Sequence, residues 1–204
     1  MIDKIKKHYQ NVYKIHGATS RGVDWKNEDQ TVKRYSTFLD LIEKTNNKNL
    51  SLLDVGCGYG AFYDFIKKKS EKKIDYLGVD LVEDMIVHAQ NEYGEKKFSA
   101  IDFFELDREK KFDFVIANGL FTQKFDFSND QMIKFLKKSF IKLHTLSFKA
   151  FIFNVLSENV DYKNPKNFYI SNDEIIDFLL DKGSVTIDKF ENKNLYETFY
   201  IVQK

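Results

Sequence analysis

The stretch LLDVGCGYGAF, residues 52–62, decides the fold because it joins a short apolar run to three glycines at alternate positions. Gly56, Gly58 and Gly60 follow almost directly after the apolar residues. Glycine adopts positive backbone φ angles at little cost and lets another molecule approach the main chain closely. We therefore expect a buried strand, a tight glycine turn and the first turn of a helix, in this order.

The spacing of these glycines fits two different cofactor-binding patterns. Gly56, Gly58 and Ala61 satisfy the G-x-G-x-x-G/A fingerprint of nicotinamide- and flavin-dependent enzymes. The second pattern consists of an acid, Asp54, an apolar residue, and then Gly56, Gly58 and Gly60 at alternate positions. Asp54 favours this second pattern, because a buried carboxylate would repel the pyrophosphate of a dinucleotide but would attract the ammonium group of an amino acid. We therefore favour a cofactor with an amino-acid headgroup and keep an NAD(P)-dependent oxidoreductase as the alternative.

Length and charge restrict the class of protein. A chain of 204 residues is long enough for one domain with a full core. With 32 basic and 31 acidic residues, its net charge is +1, so it lacks the strongly basic character of proteins that bind nucleic acid or anionic membranes. These values favour an enzyme that acts on a small molecule.

Cysteine content and hydropathy indicate the compartment. Cys57 is the sole cysteine, which excludes an intramolecular disulfide and leaves a cysteine-based zinc site without further ligands. No apolar run approaches the roughly 18 residues of a membrane span. We expect a cytoplasmic monomer or homodimer without a metal, nucleic-acid or membrane partner.

From residue 50 onwards, the hydrophobic pattern alternates between strands and helices. The predicted strands are 51–55, 74–80, 96–102, 112–118 and 148–156, and the predicted helices are 61–69, 82–94, 130–144 and 171–183. Two last segments, 184–190 and 196–204, alternate as antiparallel strands do. The pattern predicts an α/β, Rossmann-like fold with a doubly wound, mostly parallel seven-stranded sheet that ends in an antiparallel hairpin.

Two helices, 1–15 and 28–44, are predicted before the sheet. The apolar positions at helical spacing in the second one are Val32, Tyr35, Phe38, Leu39 and Ile42. We expect one domain, 1–204, in which an N-terminal helical segment, 1–49, precedes the cofactor-binding sheet, 50–204. In the last helix, Ser171 is the predicted N-cap, Glu174 occupies the capping-box position and Gly183 is the predicted stop.

Polar or glycine residues follow four successive strands. In an open α/β sheet, ligands bind beyond the carboxyl ends of the strands, so these positions are the candidate site. They are Asp54 with its glycine turn, Asp80, Asp102, and Asn118 with Gly119. Asp80 ends the second strand some two dozen residues after the first glycine, where a carboxylate can accept both hydroxyls of a ribose.

In this order, the motifs resemble those of the class I S-adenosylmethionine-dependent methyltransferases, over about residues 50–155. The resemblance implies S-adenosyl-L-methionine as the cofactor and agrees with the terminal hairpin. It implies the following contacts: Asp54, Gly56, Gly58 and Gly60 with the methionine part, Asp80 with the ribose, Met85 with the adenine ring, Asp102 with the adenine amine, and Asn118 and Gly119 as the fourth motif.

The loop HGATSRGVDW, residues 16–25, is the main candidate for contact with the methyl acceptor. It mixes glycine with charged and aromatic residues, a composition common in binding loops. Its order is similar to that in small bacterial methyltransferases that modify sugars or other small metabolites, some of them in surface-polysaccharide pathways. The candidates for acceptor binding are His16, Arg21, Trp25, Asn154 and Tyr169. His16 is also the candidate base, and Arg34 is a candidate for the cofactor carboxylate.

We expect in-line transfer of a methyl group to an oxygen of a small acceptor, for example a sugar- or nucleotide-linked metabolite. A sulfonium is already a potent methyl donor, so alignment matters most and a dedicated base is optional. Methyltransferases that act on amino groups of DNA bases carry Asn/Asp-Pro-Pro-aromatic after the fourth strand, whereas residues 118–121 read NGLF. A non-catalytic, S-adenosylmethionine-binding regulatory protein is a further alternative.

Overall fold

The structure, a computed structural model, describes residues 1–45, 47–107, 109–181 and 185–204. It divides into two units, Met1–Leu106 and Asp107–Lys204. The N-terminal helices belong to the first unit, together with the first three strands.

The first unit contains a parallel sheet and four α-helices. Its strands are β1 (Asn49–Val55), β2 (Lys73–Asp80) and β3 (Phe98–Ala100), and its helices are α1 (Ile2–His16), α2 (Glu28–Glu43), α3 (Ala61–Lys69) and α4 (Glu83–Tyr93). Short 3₁₀ helices occupy Ser20–Val23, Glu95–Lys97 and Phe103–Glu105. β2 pairs in parallel with β1 on one side and with β3 on the other.

β1 is apolar on both of its faces. Leu50, Leu52, Leu53 and Val55 are all buried, as expected for a strand of a parallel sheet that is covered on both sides. The glycine turn starts where this strand ends, so the buried strand positions the turn.

One side of α2 is buried within the first unit. Of the apolar positions that predicted this helix, Tyr35, Phe38, Leu39 and Ile42 are buried, whereas the side chain of Val32 is 48% exposed. The buried stripe begins at Thr31 and continues through position 34, and Val32 lies to one side of it.

The second unit contains four strands and two α-helices. The strands are β4 (Phe112–Ala117), β5 (Ser147–Leu156), β6 (Thr186–Asn192) and β7 (Glu197–Gln203), and the helices are α5 (Asn129–Leu146) and α6 (Asn172–Leu180). β4 and β5 are parallel, whereas β7 is antiparallel to both β5 and β6. Aromatic rings fill its core, and those of Phe153 and Tyr200 stack with centroids 5.0 Å apart.

Within the first unit the strand order is β3-β2-β1, and within the second it is β4-β5-β7-β6. This order confirms the predicted α/β class, with a mostly parallel sheet and a terminal antiparallel hairpin. β3 is shorter than predicted, because a 3₁₀ turn precedes it and Asp102 begins another turn soon after it.

Helix caps agree with the prediction in part. Ser171 Oγ accepts a hydrogen bond from Glu174 N and so caps α6, whereas Gly183 lies outside the described residues. A complete capping box, between Ser128 and Gln131, begins α5 instead and was not predicted. In the ranges that the structure describes, no helix combines the length and the apolar character that crossing a membrane requires.

Candidate functional site

The glycine turn after β1 has three glycines with positive φ angles. The angles are 76° at Gly56, 56° at Gly58 and 84° at Gly60. A β-carbon on Gly60 would lie 3.1 Å from Ala89 Cβ and from the ring of Phe98. Both the backbone angle and the space therefore favour glycine at position 60.

Asp54 is a buried carboxyl group beside this turn. It is 2% exposed, and Tyr76 donates its hydroxyl to Asp54 Oδ2 at 2.6 Å. Burial raises the pKa of Asp54 to about 7; the Tyr76 hydroxyl opposes this rise and the charge of Asp80 adds to it. A cation bound beside the carboxylate would offset this desolvation cost. The site thus fits a ligand with a positive group.

Asp80 ties the end of β2 to the glycine turn. Its Oδ2 accepts from Gly58 N and its Oδ1 from Val82 N, both at 2.9 Å. Burial raises the pKa of the Asp80 carboxyl, and these backbone N–H groups oppose the rise. Each carboxylate oxygen has a second lone pair, so both can still accept a hydroxyl of a bound ribose. The contact with Gly58 was not predicted from the sequence.

Met85 and Asp102 follow the second and third strands. Met85 is 1% exposed and forms an apolar cluster with Tyr59 and Val82. Its Sδ would lie 3.8 Å from a β-carbon on Gly58. Asp102 is half-buried, and its Oδ1 caps a 3₁₀ helix by accepting from Phe104 N at 2.9 Å. The structure therefore brings Met85 to the glycine turn, whereas the observed bond of Asp102 is local.

The N-terminal segment covers the glycine turn. A β-carbon on Gly58 would lie 3.2 Å from Val23 Cγ1, and Tyr9, Tyr13 and Val23 pack against the apolar cluster that contains Met85. The ring of Tyr13 stacks with that of Tyr59, with centroids 6.5 Å apart. The loop 16–25 thus reaches the predicted cofactor site through Val23, a residue that the sequence did not single out.

The other candidates of this segment lie in different surroundings. His16 and Arg21 are exposed, whereas Trp25 is half-buried and Arg34 is buried. The guanidinium of Arg34 lies 4.9 Å from the centroid of the Trp25 ring, a cation–π arrangement. The structure therefore brings Trp25 and Arg34 together and leaves His16 and Arg21 at the surface.

His8 has a partner that was not visible in the sequence. Its Nε2 contacts the Asp24 Oδ2 in a hydrogen bond between α1 and the residue that follows the 3₁₀ helix Ser20–Val23. The pair fastens α1 to the loop 16–25, since the two residues are 16 positions apart.

The second unit has its own strand-end residues. Asn154 is fully buried; its Oδ1 accepts from Gly119 N at 2.7 Å and its Nδ2 donates to Glu197 Oε2 at 2.8 Å. Its amide thus holds the turn after β4, in which Gly119 has a φ of 77°, and its role in acceptor binding stays a prediction. Asn118 Oδ1 is buried and, within the described ranges, has no hydrogen-bond partner. It is an acceptor that a ligand could satisfy.

Tyr169 lies in the loop after β5 and is half-buried. Its hydroxyl accepts from Asn164 N at 3.1 Å and from Asn167 Nδ2 at 3.5 Å. These bonds fold the loop 164–169 onto itself. The structure therefore gives Tyr169 a local role, and its contact with the acceptor stays a prediction.

A separate apolar cavity of about 170 Å³ lies in the second unit. Phe140, His144 and Phe178 are among the residues that line it, and the strand-end residues of the second unit are not. Burial and the charges of Lys204 and Lys111 lower the pKa of His144. His144 therefore contributes to the packing of the second unit as one of the residues that line this cavity.

Comparisons with known proteins agree with this geometry. A family model described as a methyltransferase domain matches residues 53–146. A Mycobacterium tuberculosis protein, Rv1506c, whose name assigns it as a methyltransferase, is 26% identical over 157 residues, which are 76% of this chain and 93% of that protein. The malonyl-[acyl-carrier protein] O-methyltransferase of Acetivibrio thermocellus is 27% identical over 126 residues, 59% of this chain and 41% of that protein.

A solved structure shows the same fold. The structure of a DhpI–SAH complex superimposes with a TM-score of 0.68, covers 98% of this chain and 95% of its own, and is 14% identical. The matched family model begins at Leu53, in the strand that carries Asp54, and includes the glycine turn and Asp80. In its motifs, its sheet order and its relatives, the chain resembles the class I S-adenosylmethionine-dependent methyltransferases.

Proposed function

We propose that the chain binds S-adenosyl-L-methionine at Asp54, the glycine turn and Asp80, and transfers its methyl group to an oxygen of a small acceptor. The observation that carries this proposal is the buried Asp54 carboxyl beside three glycines with positive φ angles. A dinucleotide would place a pyrophosphate against this acid, and the repulsion argues against the oxidoreductase alternative.

Each strand-end residue would have a separate role in holding the cofactor. Asp54 would pair with the ammonium group, and the glycines would let the methionine part approach the backbone. Asp80 would accept the ribose hydroxyls, since Gly58 N and Val82 N already fix the direction of its carboxylate. The remaining cofactor contacts that we propose are those of Met85 and Asp102 with the adenine, of Asn118 and Gly119 in the fourth motif, and of Arg34 with the carboxylate.

Bound S-adenosylmethionine supplies an electrophilic methyl group on a sulfonium sulfur. The protein's main task is then to hold the acceptor in line, an orientation effect that can approach about 7 to 11 kcal/mol. The apolar contacts of Tyr13 and Val23 with the cluster around Met85 would exclude water from this end of the site.

For the acceptor, we propose a sugar- or nucleotide-linked metabolite of surface-polysaccharide biosynthesis. The resemblance of the loop 16–25 supports a small metabolite, and a relative named as an O-methyltransferase supports oxygen as the acceptor atom. The proposed acceptor contacts remain those of His16, Arg21, Trp25, Asn154 and Tyr169, with His16 as the candidate base. We also propose that the two units act as one domain, in a cytoplasmic monomer or homodimer.

A methyl-transfer assay tests this proposal. The chain is incubated with methyl-labelled S-adenosylmethionine and a panel of nucleotide sugars, free sugars, carboxylic acids and amines, and labelled products are identified by mass spectrometry. We expect an O-methyl product from a sugar-linked acceptor and loss of the product in Asp80→Ala. Labelled amines alone would overturn the oxygen assignment.

Calorimetry with S-adenosylhomocysteine keeps the binding step separate from the choice of acceptor. We expect binding by the unchanged chain and a marked loss in Asp80→Ala. Binding without a product from any acceptor of the panel would favour a regulatory protein, whereas no binding would overturn the cofactor assignment.

A further inference from the structure

We propose that Tyr76 is a positioning residue for cofactor binding, because its hydroxyl holds the Asp54 carboxylate in one orientation and favours the charged form that receives the ammonium group. The proposal rests on the proposed function, in which Asp54 binds this group. Tyr76 is not itself one of the strand-end residues.

The register of β1 and β2 brings the two side chains together. Leu52 pairs with Tyr76, and Asp54 pairs with Gly78 two residues further along. Neighbouring paired residues point to the same face of a sheet, and diagonal neighbours lie within reach of an aromatic side chain. Because Gly78 has no side chain opposite Asp54, Tyr76 can reach diagonally to the carboxylate, and the 2.6 Å hydrogen bond shows that it does.

The ring of Tyr76 is held by its neighbours. Tyr76 is 3% exposed, and its ring centroid lies 4.9 Å from that of Tyr63 and 5.7 Å from that of Phe98. A ring enclosed in this way keeps its hydroxyl in one place. The hydroxyl is thus a preorganised donor, and it orients the carboxylate before any ligand arrives.

Several ionisable groups face Asp54, and of these Tyr76 favours the charged form of the Asp54 carboxyl. Asp80, at the end of the same strand as Tyr76, raises the pKa of Asp54, and burial raises it more. Burial raises the pKa of Tyr35, from α2, and of Cys57, from the glycine turn, well above their usual values, and the charge of Asp54 adds to both rises, so both groups remain neutral near pH 7. The Tyr76 hydrogen bond lowers the pKa of Asp54 against these effects.

The direct test is a carbon-13 NMR titration of the Asp54 side chain in the ligand-free protein. Removing the hydroxyl in Tyr76→Phe should raise the midpoint by about one pH unit, the effect expected for loss of one hydrogen bond to a charged group. Tyr63→Phe is the matched control, because it removes a hydroxyl from the ring that packs on Tyr76. An unchanged midpoint in Tyr76→Phe would overturn the proposal.

Cofactor binding gives the second readout. Between pH 5.5 and 8.5, calorimetry with S-adenosylhomocysteine should show Tyr76→Phe about fivefold weaker than the unchanged chain at pH 7, with a gap that approaches tenfold at the lowest pH and narrows as the pH rises. An equal loss at every pH would indicate a purely structural role and would overturn the positioning role.

Two further proteins separate the possible failures. If Asp54→Asn binds S-adenosylhomocysteine as the unchanged chain does, the proposed function of Asp54 fails, while the NMR titration still reports whether Tyr76 acts on Asp54. If Tyr76→Phe does not fold, 3-fluorotyrosine at position 76 keeps the ring and provides a stronger donor. The midpoint of the Asp54 titration should then fall, and an unchanged or higher midpoint would contradict the proposal.

Discussion

Two buried acids at adjacent strand ends differ in how the protein compensates their burial. Asp80 accepts two backbone N–H bonds, which leave its carboxylate anchored. Asp54 accepts the hydroxyl of Tyr76, and its pKa rises to about 7. A carboxyl that titrates near neutral pH gains most from a bound cation, so the two acids suit different parts of one ligand.

Cofactor affinity should therefore depend on pH. Asp54 must be charged to pair with an ammonium group, so lowering the pH through about 7 should weaken binding of S-adenosylhomocysteine, approaching tenfold per unit below the midpoint. Calorimetry in buffers of different ionisation enthalpy should show release of a proton on binding at pH 6. A binding constant that is flat from pH 5.5 to 8 would contradict this prediction.

Gly60→Ala should destabilise the protein by about 2 to 3 kcal/mol, because it combines a positive φ with contacts of 3.1 Å to Ala89 and Phe98. Gly94→Ala is the matched control, since Gly94 has a φ of 108° but no atom within 4 Å of the added carbon. The control should lose about 1 kcal/mol. Equal losses in chemical denaturation would show that packing at position 60 contributes nothing.

At the scale of elements, the N-terminal segment contacts the glycine turn through apolar side chains. None of the residues of α1 is fully buried, and its Tyr9 and Tyr13 pack against the cluster around Met85. The 3₁₀ helix Ser20–Val23 is positioned by a close approach, because a β-carbon on Gly22 would lie 1.9 Å from Gly17 O. This approach places Val23 against Gly58.

Gly22→Ala should displace Val23 from the glycine turn and weaken binding of S-adenosylhomocysteine by about fivefold or more, the cost of a partly lost apolar contact. Ala18→Ser is the control in the same segment, because Ala18 is exposed. Calorimetry measures the affinity, and hydrogen exchange of α1 reports the displacement. Unchanged affinity in a Gly22→Ala protein with faster exchange would show that the segment does not contribute to the site.

At the scale of the whole molecule, the strand order and the terminal hairpin agree with the resemblance to class I methyltransferases. A ligand that binds the folded state raises its stability by an amount that depends on ligand concentration. The gain is about 2.7 kcal/mol at one hundred times Kd.

S-adenosylhomocysteine should therefore raise the Tm of the chain in steps with its concentration, whereas NAD⁺ and NADP⁺ should not. Asp80→Ala should lose the shift, which excludes a nonspecific effect of the ligand. Stabilisation by a nicotinamide cofactor alone would restore the oxidoreductase interpretation of the glycine turn.

Features that depend on local periodicity were predicted with close boundaries. α3 has the predicted limits, and β1 and α2 begin or end within two residues of theirs, since their apolar patterns repeat within a single element. The exposure of Val32 and the hydrogen bonds of Asn154 could not be predicted from the sequence, for a common reason. Whether one position faces the core, or a polar side chain faces a ligand, depends on the neighbours that packing provides.

The sequence by itself determined the α/β class, the glycine turn and the acids at the strand ends, because each depends on residues close together in the chain. Only the tertiary structure placed the Tyr76 hydroxyl on Asp54, Val23 on Gly58 and the Asn154 amide on Gly119. These contacts join residues 22 to 35 positions apart. They depend on strand register and on how one segment packs on another, which no local pattern of residues encodes.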